Sequence, residues 1–286
     1  MSDQLTAVLL GLFSAVTLAA ANLAVKIGAD ILVGRAILSC SAALLIAPLA
    51  LFVPAPDART WGALLLAIPA HFFYQMCLVQ AMSRGELSLV FPIMRGLAPL
   101  LTAGTALLVL GQQLNAVEWL ALAAATGAII AFALPPKGVA VRHHPDAKAL
   151  GWAVLTAIGV ALYNATDARG VRIAPEPLTF IVWLFLVDWI CVTTAALILR
   201  RGEIVAAIRP KWRTAVSAGA LSIFSFGASL YAMSLIDAAK VSALRETSVV
   251  FAALMGAAVL RERIGVRRFG AAAVLAAALV ALQFAG

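Results

Sequence analysis

Charge is scarce in this chain. Asp, Glu, Lys and Arg make up only 12% of its 286 residues, roughly half of what a soluble domain carries. A fold with a fully solvated surface is excluded on that ground. Cysteine is scarcer still: Cys40, Cys77 and Cys191 all fall inside apolar stretches, so no disulfide framework is expected. Histidine occurs three times, at His71, His143 and His144. There is no His-Glu-x-x-His, no Gly-x-Ser-x-Gly and no carboxylate-rich metal motif, so neither catalysis nor a metal is expected. No ring of like charges or filter loop marks a channel. A nucleotide-binding loop is missing too, so no cofactor is expected, and any work must draw on a gradient, exchange or a partner.

Apolar sequence fills the space. Hydrophobic residues make up 64% of the chain, and mean hydropathy is +1.03. Stretches long enough to cross a ~30 Å hydrocarbon core as helices fall at about 4–25, 31–53, 61–83, 87–110, 116–134, 149–168, 178–199, 214–236, 239–260 and 269–285. The fold class is an all-α polytopic membrane protein with ten transmembrane helices. Turn and charge signals separate the spans: Pro54-Ala55-Pro56-Asp57, Arg84-Gly85-Glu86, Pro135-Pro136-Lys137-Gly138, Pro175-Glu176-Pro177 and Arg200-Arg201-Gly202-Glu203. Met-Ser-Asp-Gln at the N-terminus lacks the basic region of a cleaved signal, so the first span is expected to stay.

The net charge of +8 reads as loop charge that sets orientation, and no nucleic-acid partner is expected. Connections after odd-numbered spans hold Lys137, Arg142 and Lys148, then Arg200, Arg201, Arg209, Lys211 and Arg213, then Arg261, Arg263, Arg267 and Arg268. Those after even-numbered spans hold only Arg59, Arg169, Arg172 and Lys240. The positive-inside rule then puts both termini outside, in the periplasm.

The second half repeats the first. At an offset of 150, Glu86–Leu134 aligns with Ile236–Phe284, pairing Arg95 with Arg245 and Leu110-Gly111-Gln112-Gln113-Leu114 with Leu260-Arg261-Glu262-Arg263-Ile264. Asn22 with Gly28 answers Asn164 with Gly170 at an offset of 142. The two units are residues 1–138 and 139–286. Each has five spans, an odd number, so the copies enter the membrane in opposite senses. Inverted repeats of this kind mark alternating-access carriers, whose site lies near the midplane where the repeats meet.

Phe91-Pro92-Ile93-Met94-Arg95-Gly96-Leu97-Ala98-Pro99-Leu100-Leu101-Thr102 resembles the fourth-helix motif of EamA-domain carriers. Val250-Phe251-Ala252-Ala253-Leu254-Met255-Gly256, followed by Leu260-Arg261-Glu262-Arg263, resembles the second-copy motif. Both belong to the drug/metabolite transporter superfamily. The resemblance implies a ten-helix bundle in the bacterial inner membrane, functional as a monomer. It implies export of small metabolites, commonly amino acids as in the YddG-type exporters. Gln112 stands where the family usually has Glu, and Val249 where it usually has Pro.

Arg95 and Arg245 sit deep in their spans, roughly 14 Å and 10 Å from the span starts at 1.5 Å per residue. At the bilayer centre each costs roughly 2.5–3.5 kcal/mol on insertion scales. A guanidinium keeps its proton and presents a planar fork suited to carboxylate or phosphate. Two readings stand together: an anion clamp, or an ion pair with Asp188 or Glu246. Asp188 reads first as a counter-ion and second as a proton relay, whereas Asp167 lies near its span end and reads as wetted. His71, Tyr74 and Gln75 share one helical face as a cavity wall or an interhelical link. Trp183, Ser225 and Tyr231 are candidates for the facing wall. Asn22 and Asn164 either contact substrate or tie helices together. Pro92 and Pro99 remove helical hydrogen bonds and suit a gating helix.

Paired arginines favour a substrate with a carboxylate or phosphate, and an amino acid fits best: arginine for the carboxylate, Asp188 or a carbonyl for the amine, aromatics for the side chain. Organophosphates, phosphonates or other organic anions are the alternative. The orientation is open to a direct check. An alkaline phosphatase fused to the C-terminus is expected to be active and a fused green fluorescent protein dark; the reverse pattern would put that terminus inside.

Overall fold

The computed structural model describes residues 2–25, 30–85, 87–133, 147–251, 254 and 266–284. Every regular element among them is helical: α1 (Asp3–Val25), α2 (Ile31–Ile46), which tightens into a 3₁₀ turn over Ala47–Leu51, α3 (Ala58–Arg84), α4 (Leu87–Leu110), α5 (Ala116–Ala133), α6 (Ala147–Ile173), α7 (Pro177–Leu199), α8 (Glu203–Leu235), α9 (Ala238–Glu246) and α10 (Val266–Phe284). Seven of these are long and apolar enough to cross a membrane, and α5 and α10 contribute shorter apolar segments. The chain is a multi-pass membrane protein.

Local chemistry sets the ends. Asp30 caps α2 by accepting from the Val33 N–H at 3.0 Å. Asp57 caps α3 through the Thr60 N–H at 2.8 Å and its hydroxyl at 2.7 Å. Asn115 and Glu118 form a reciprocal box at the start of α5, each accepting from the other's backbone N–H, at 2.9 and 2.8 Å. α4 stops where Gly111 takes a φ of 66°, a left-handed value that glycine adopts freely.

Three expected spans differ in extent. α8 begins at Glu203, so Arg209, Lys211 and Arg213 belong to its first turns and not to a loop. α6 runs on to Ile173 and carries Asp167, Arg169 and Arg172 inside the helix. Hydropathy marks the part of a helix that suits hydrocarbon, while Lys and Arg are good helix formers and let it continue beyond. The ninth span is interrupted. α9 ends at Glu246, and Thr247 turns there, its N–H and hydroxyl both bonding to Leu244 O, at 3.2 and 2.6 Å. Helix resumes at Ser248–Phe251, and residues 252–253 and 255–265, with the Arg261–Ile264 connection, lie outside the described residues.

The helices pack in a regular set of pairs: α3 on α6 and α1 on α8; α4 on α6 and α1 on α9; α2 on α8 and α3 on α7; α2 on α7, α4 on α9 and α5 on α10. Phe180, Leu230 and Met233 anchor one apolar cluster, and Leu122, Ile129 and Leu275 another between α5 and α10. Membrane helices gain little from excluding water, so small residues must bring their backbones together. A Cβ on Gly159 would stand 2.8 Å from the Tyr74 Cα across the α3–α6 contact.

Gly159→Ala should therefore lower stability by about 1–3 kcal/mol through forced separation of α3 and α6. Gly151→Ala, with nothing near its missing Cβ, should be neutral or slightly stabilising. Thermal unfolding in detergent reads both, and equal midpoints would disprove the close approach.

Candidate functional site

Eight helices, α1 to α4 and α6 to α9, enclose a cavity of about 450 Å³. Among the described residues α5 and α10 contribute nothing to its lining. It reaches Asp30 and Ile31 at the start of α2 and Met82 near the end of α3. Arg35, His71, Tyr74, Arg95, Tyr163, Asp188, Ser225, Phe226 and Arg245 face it.

The arginines differ in their partners. Arg95 Nε lies 3.0 Å from Glu246 Oε2, and Glu246 is 2% exposed. This pair locks α4 to α9. Arg245 stands one residue earlier and projects elsewhere, its guanidinium 5.2 Å from the Phe226 ring centroid. Arg35, one turn into α2, lies 5.7 Å from the Tyr74 ring centroid. Among the described residues neither Arg35 nor Arg245 has an ion-pair partner, and the Nε of each is buried without a hydrogen bond. Two guanidinium faces, each steadied by an aromatic ring, are thus left to the cavity.

The carboxylates are held by other groups. His71 Nε2 is 2.9 Å from Asp167 Oδ2, and its Nδ1 is 3.9 Å from Asp188 Oδ1. The Gln75 amide donates to Asp188 Oδ2 at 3.3 Å. The imidazole is stacked on Tyr163, centroids 4.6 Å apart, and meets the Phe226 edge at 5.5 Å. Asp188 is thus a counter-charge to histidine, not to an arginine; Glu246 fills that second role. Asp167 is 0% exposed, which corrects its reading as a wetted residue, because α6 continues six residues beyond it.

Other candidates lie off the cavity. Gln75 is buried behind it on Asp188. Asn164 donates to Thr102 and Ser242 hydroxyls at 3.1 and 3.3 Å, tying α6 to α4 and α9. Trp183 packs edge-on against Trp61 at 5.4 Å, and Tyr231 packs into the Phe180 cluster. Ser225 faces the cavity while donating to Ser14 O at 2.9 Å. Pro99 is buried within α4, where it leaves the Arg95 carbonyl without its helical donor. The side chains of Asn22 and Pro92 lie outside the described residues. Arg35, Tyr163 and Phe226 were not among the sequence candidates. Arg35 carried the same signal as Arg95, an arginine inside an apolar span; the two aromatics carried none beyond ordinary packing.

The far end of the bundle is tied shut. Lys240 Nζ meets Glu118 Oε1 at 2.6 Å and Asp237 Oδ2 at 3.9 Å, so Lys240 is no free loop charge. Gln112 Oε1 accepts from the Ala238 N–H at 3.3 Å. Arg172 donates to Met233 O and Ile236 O at 2.9 and 2.8 Å. At the cavity's own end, Arg200 Nε lies 2.7 Å from Asp30 Oδ2. Partial burial works against the Asp30 charge, but the bonds from Arg200 and the Val33 N–H outweigh it and hold its carboxyl below the usual carboxylate range.

The cavity sets a few charged groups among apolar side chains inside a bundle of apolar helices. Residues 147–283 match the EamA-like transporter family. The matched stretch holds Asp188, Phe226 and Arg245 of the cavity lining, and Asp167 behind it. No curated protein matches the chain. A solved structure described only as the crystal structure of a protein is similar, with a TM-score of 0.72 at 15% identity. The likeness covers 98% of this chain and 94% of that one, and it carries the fold alone.

Breaking the Arg95–Glu246 pair from one side takes the carboxylate at 3.0 Å away from a buried guanidinium. Glu246→Gln is expected to cost about 3–5 kcal/mol, read as a lowered thermal midpoint in detergent. An unchanged midpoint would show that Arg95 is satisfied without Glu246.

Proposed function

We propose that this protein is a secondary carrier of small carboxylate-bearing metabolites, and that amino acids with apolar or aromatic side chains are its substrates. One observation carries the reading: Arg35 and Arg245 face the cavity without an ion-pair partner among the described residues, while Asp188 faces it as a carboxylate. A zwitterion complements that arrangement. Its carboxylate meets a guanidinium fork, its ammonium meets Asp188, and its side chain lies among Tyr74, Tyr163, Phe185 and Phe226.

Alternating access is supported by the packing pairs. Exchanging each of α1–α5 with the helix five places later converts α3–α6 into α8–α1, α4–α6 into α9–α1 and α2–α8 into α7–α3. The pairs α2–α7, α4–α9 and α5–α10 map onto themselves. A pseudo-two-fold in the membrane plane relating residues 1–138 to 139–286 accounts for all of them. The cavity reaches the connections rich in Lys and Arg, and the ties at Lys240, Gln112 and Arg172 lie at the other end. By loop charge this is a cytoplasm-facing state, loaded from inside and suited to export. The family match in the second half supports transport, and the inner membrane of a bacterium is the setting this reading gives it.

The test is uptake of labelled L-phenylalanine into proteoliposomes. Lysine keeps the charge but loses the planar fork. Losing a charge-assisted hydrogen bond worth about 1.5–3 kcal/mol corresponds to roughly 10–150-fold weaker apparent affinity. Arg245→Lys and Arg35→Lys should each show such a loss in folded protein. Uptake indifferent to both would remove the carboxylate clamp. Saturable uptake of glycerol phosphate but not of phenylalanine would move the substrate class to organophosphates.

A further inference from the structure

A substrate clamp has no use for Asp167. The residue is completely buried, does not line the cavity, and rests one carboxylate oxygen on a single ring nitrogen of His71 at 2.9 Å. Its other oxygen has no hydrogen-bond partner among the described residues. Among the described residues, His71, between Asp167 on α6 and Asp188 on α7, is the group that joins that buried carboxylate to the cavity by direct contact. We propose that His71, bracketed by Asp167 and Asp188, is a proton-binding site that couples substrate export to proton entry; this rests on the amino-acid carrier reading above.

The geometry defines two protonation states. A neutral imidazole has one N–H. Donated from Nε2 to Asp167, it leaves the Nδ1 lone pair facing the Asp188 carboxylate at 3.9 Å. An imidazolium offers an N–H on both sides and bridges both carboxylates. The ring cannot turn away between states, because Tyr163 stacks on it and the Phe226 edge closes the other approach. What changes is the proton on Nδ1. The charged and titratable groups around the ring are few. Arg35 comes from α2, Tyr74 from its own helix α3, Asp167 and Tyr163 from α6, Asp188 from α7 and Arg245 from α9. Arg95 on α4 is engaged with Glu246, and α8 presents uncharged Ser225 and Phe226.

Coupling follows from competition for Asp188. A proton on Nδ1 and a substrate ammonium each bring one positive charge to the same carboxylate, so each disfavours the other. A cycle carries the zwitterion out with no net charge and one proton back in, moving one positive charge inward. Export is then driven both by an acidic exterior and by a negative interior.

Histidine labelling with ¹⁵N reads the site without any substrate, since the chain has only three histidines and His71→Gln assigns the resonance. The His71 ring should change protonation within the pH range in which the detergent-solubilised protein stays folded, and Asp167→Asn should displace that transition. A ring that keeps one protonation state across this range overturns the proposal. In proteoliposomes, an acidic lumen should drive labelled L-phenylalanine uptake above its equilibrium level, and a protonophore should abolish the excess. In Asp167→Asn the ratio of uptake with and without the acidic lumen should fall to one. A ratio that stays at the wild-type value overturns the coupling. Wild type that fails to exchange phenylalanine at all counts against the amino-acid reading, and the ring titration still decides the proton site.

Discussion

Charges inside hydrocarbon must find charges of the other sign, and in this bundle they find them across the midline of the sequence. Arg95 meets Glu246, His71 meets Asp167, Glu118 meets Lys240 and Asp30 meets Arg200. Each pair joins a residue of the first half to one of the second. Apolar helices slide past one another at small cost, because a leucine is as content against lipid as against leucine. A paired charge does not slide. The ion pairs therefore set the register in which the halves meet, a role better attested for buried polar groups than any net gain in stability. The cavity is what remains when that register is fixed, with the guanidiniums of Arg35 and Arg245 facing it without an ion-pair partner among the described residues.

The same logic explains why the aromatics gather where they do. Tyr74, Tyr163, Phe185 and Phe226 pack edge-on against one another with centroid separations of 5.0 to 6.0 Å, Tyr163 stacks on the imidazole, and Tyr74 and Phe226 lie beside the guanidiniums of Arg35 and Arg245. Their faces steady cations that have no carboxylate of their own. Their area excludes water, which strengthens every charge interaction left in the space. Recognition and packing are thus done by one set of side chains.

Much of this was legible in the chain itself. Hydropathy located the spans, since the length of an apolar run follows from bilayer thickness. The depth of Arg95 and Arg245 marked both as cavity or ion-pair residues, and the helical spacing of His71, Tyr74 and Gln75 put them on one face. Helix ends were less legible, because α6 and α8 outlast the hydrocarbon and hydropathy stops where polarity begins. Partner choice was not legible at all: Glu246 and Asp188 were equal candidates until the crossing of α4 with α9 decided between them. Asp167 was misjudged for the same reason, since only the crossing of α3 with α6 brings His71 over it. Nothing local announced the break at Thr247, which comes without a proline or glycine.

That break leaves α9 only nine residues long, and the shortness has a mechanical meaning. Lys240, which ties the far end of the bundle to α5, and Arg245, which faces the cavity, lie on this one short rod, roughly 7.5 Å apart along its axis at 1.5 Å per residue. A rod of two and a half turns has no slack to absorb a displacement at either end. On the carrier reading proposed above, a ligand that draws on Arg245 would pull on the Lys240 fastening as well, so that the grip on cargo and the latch on the opposite exit would answer to the same lever.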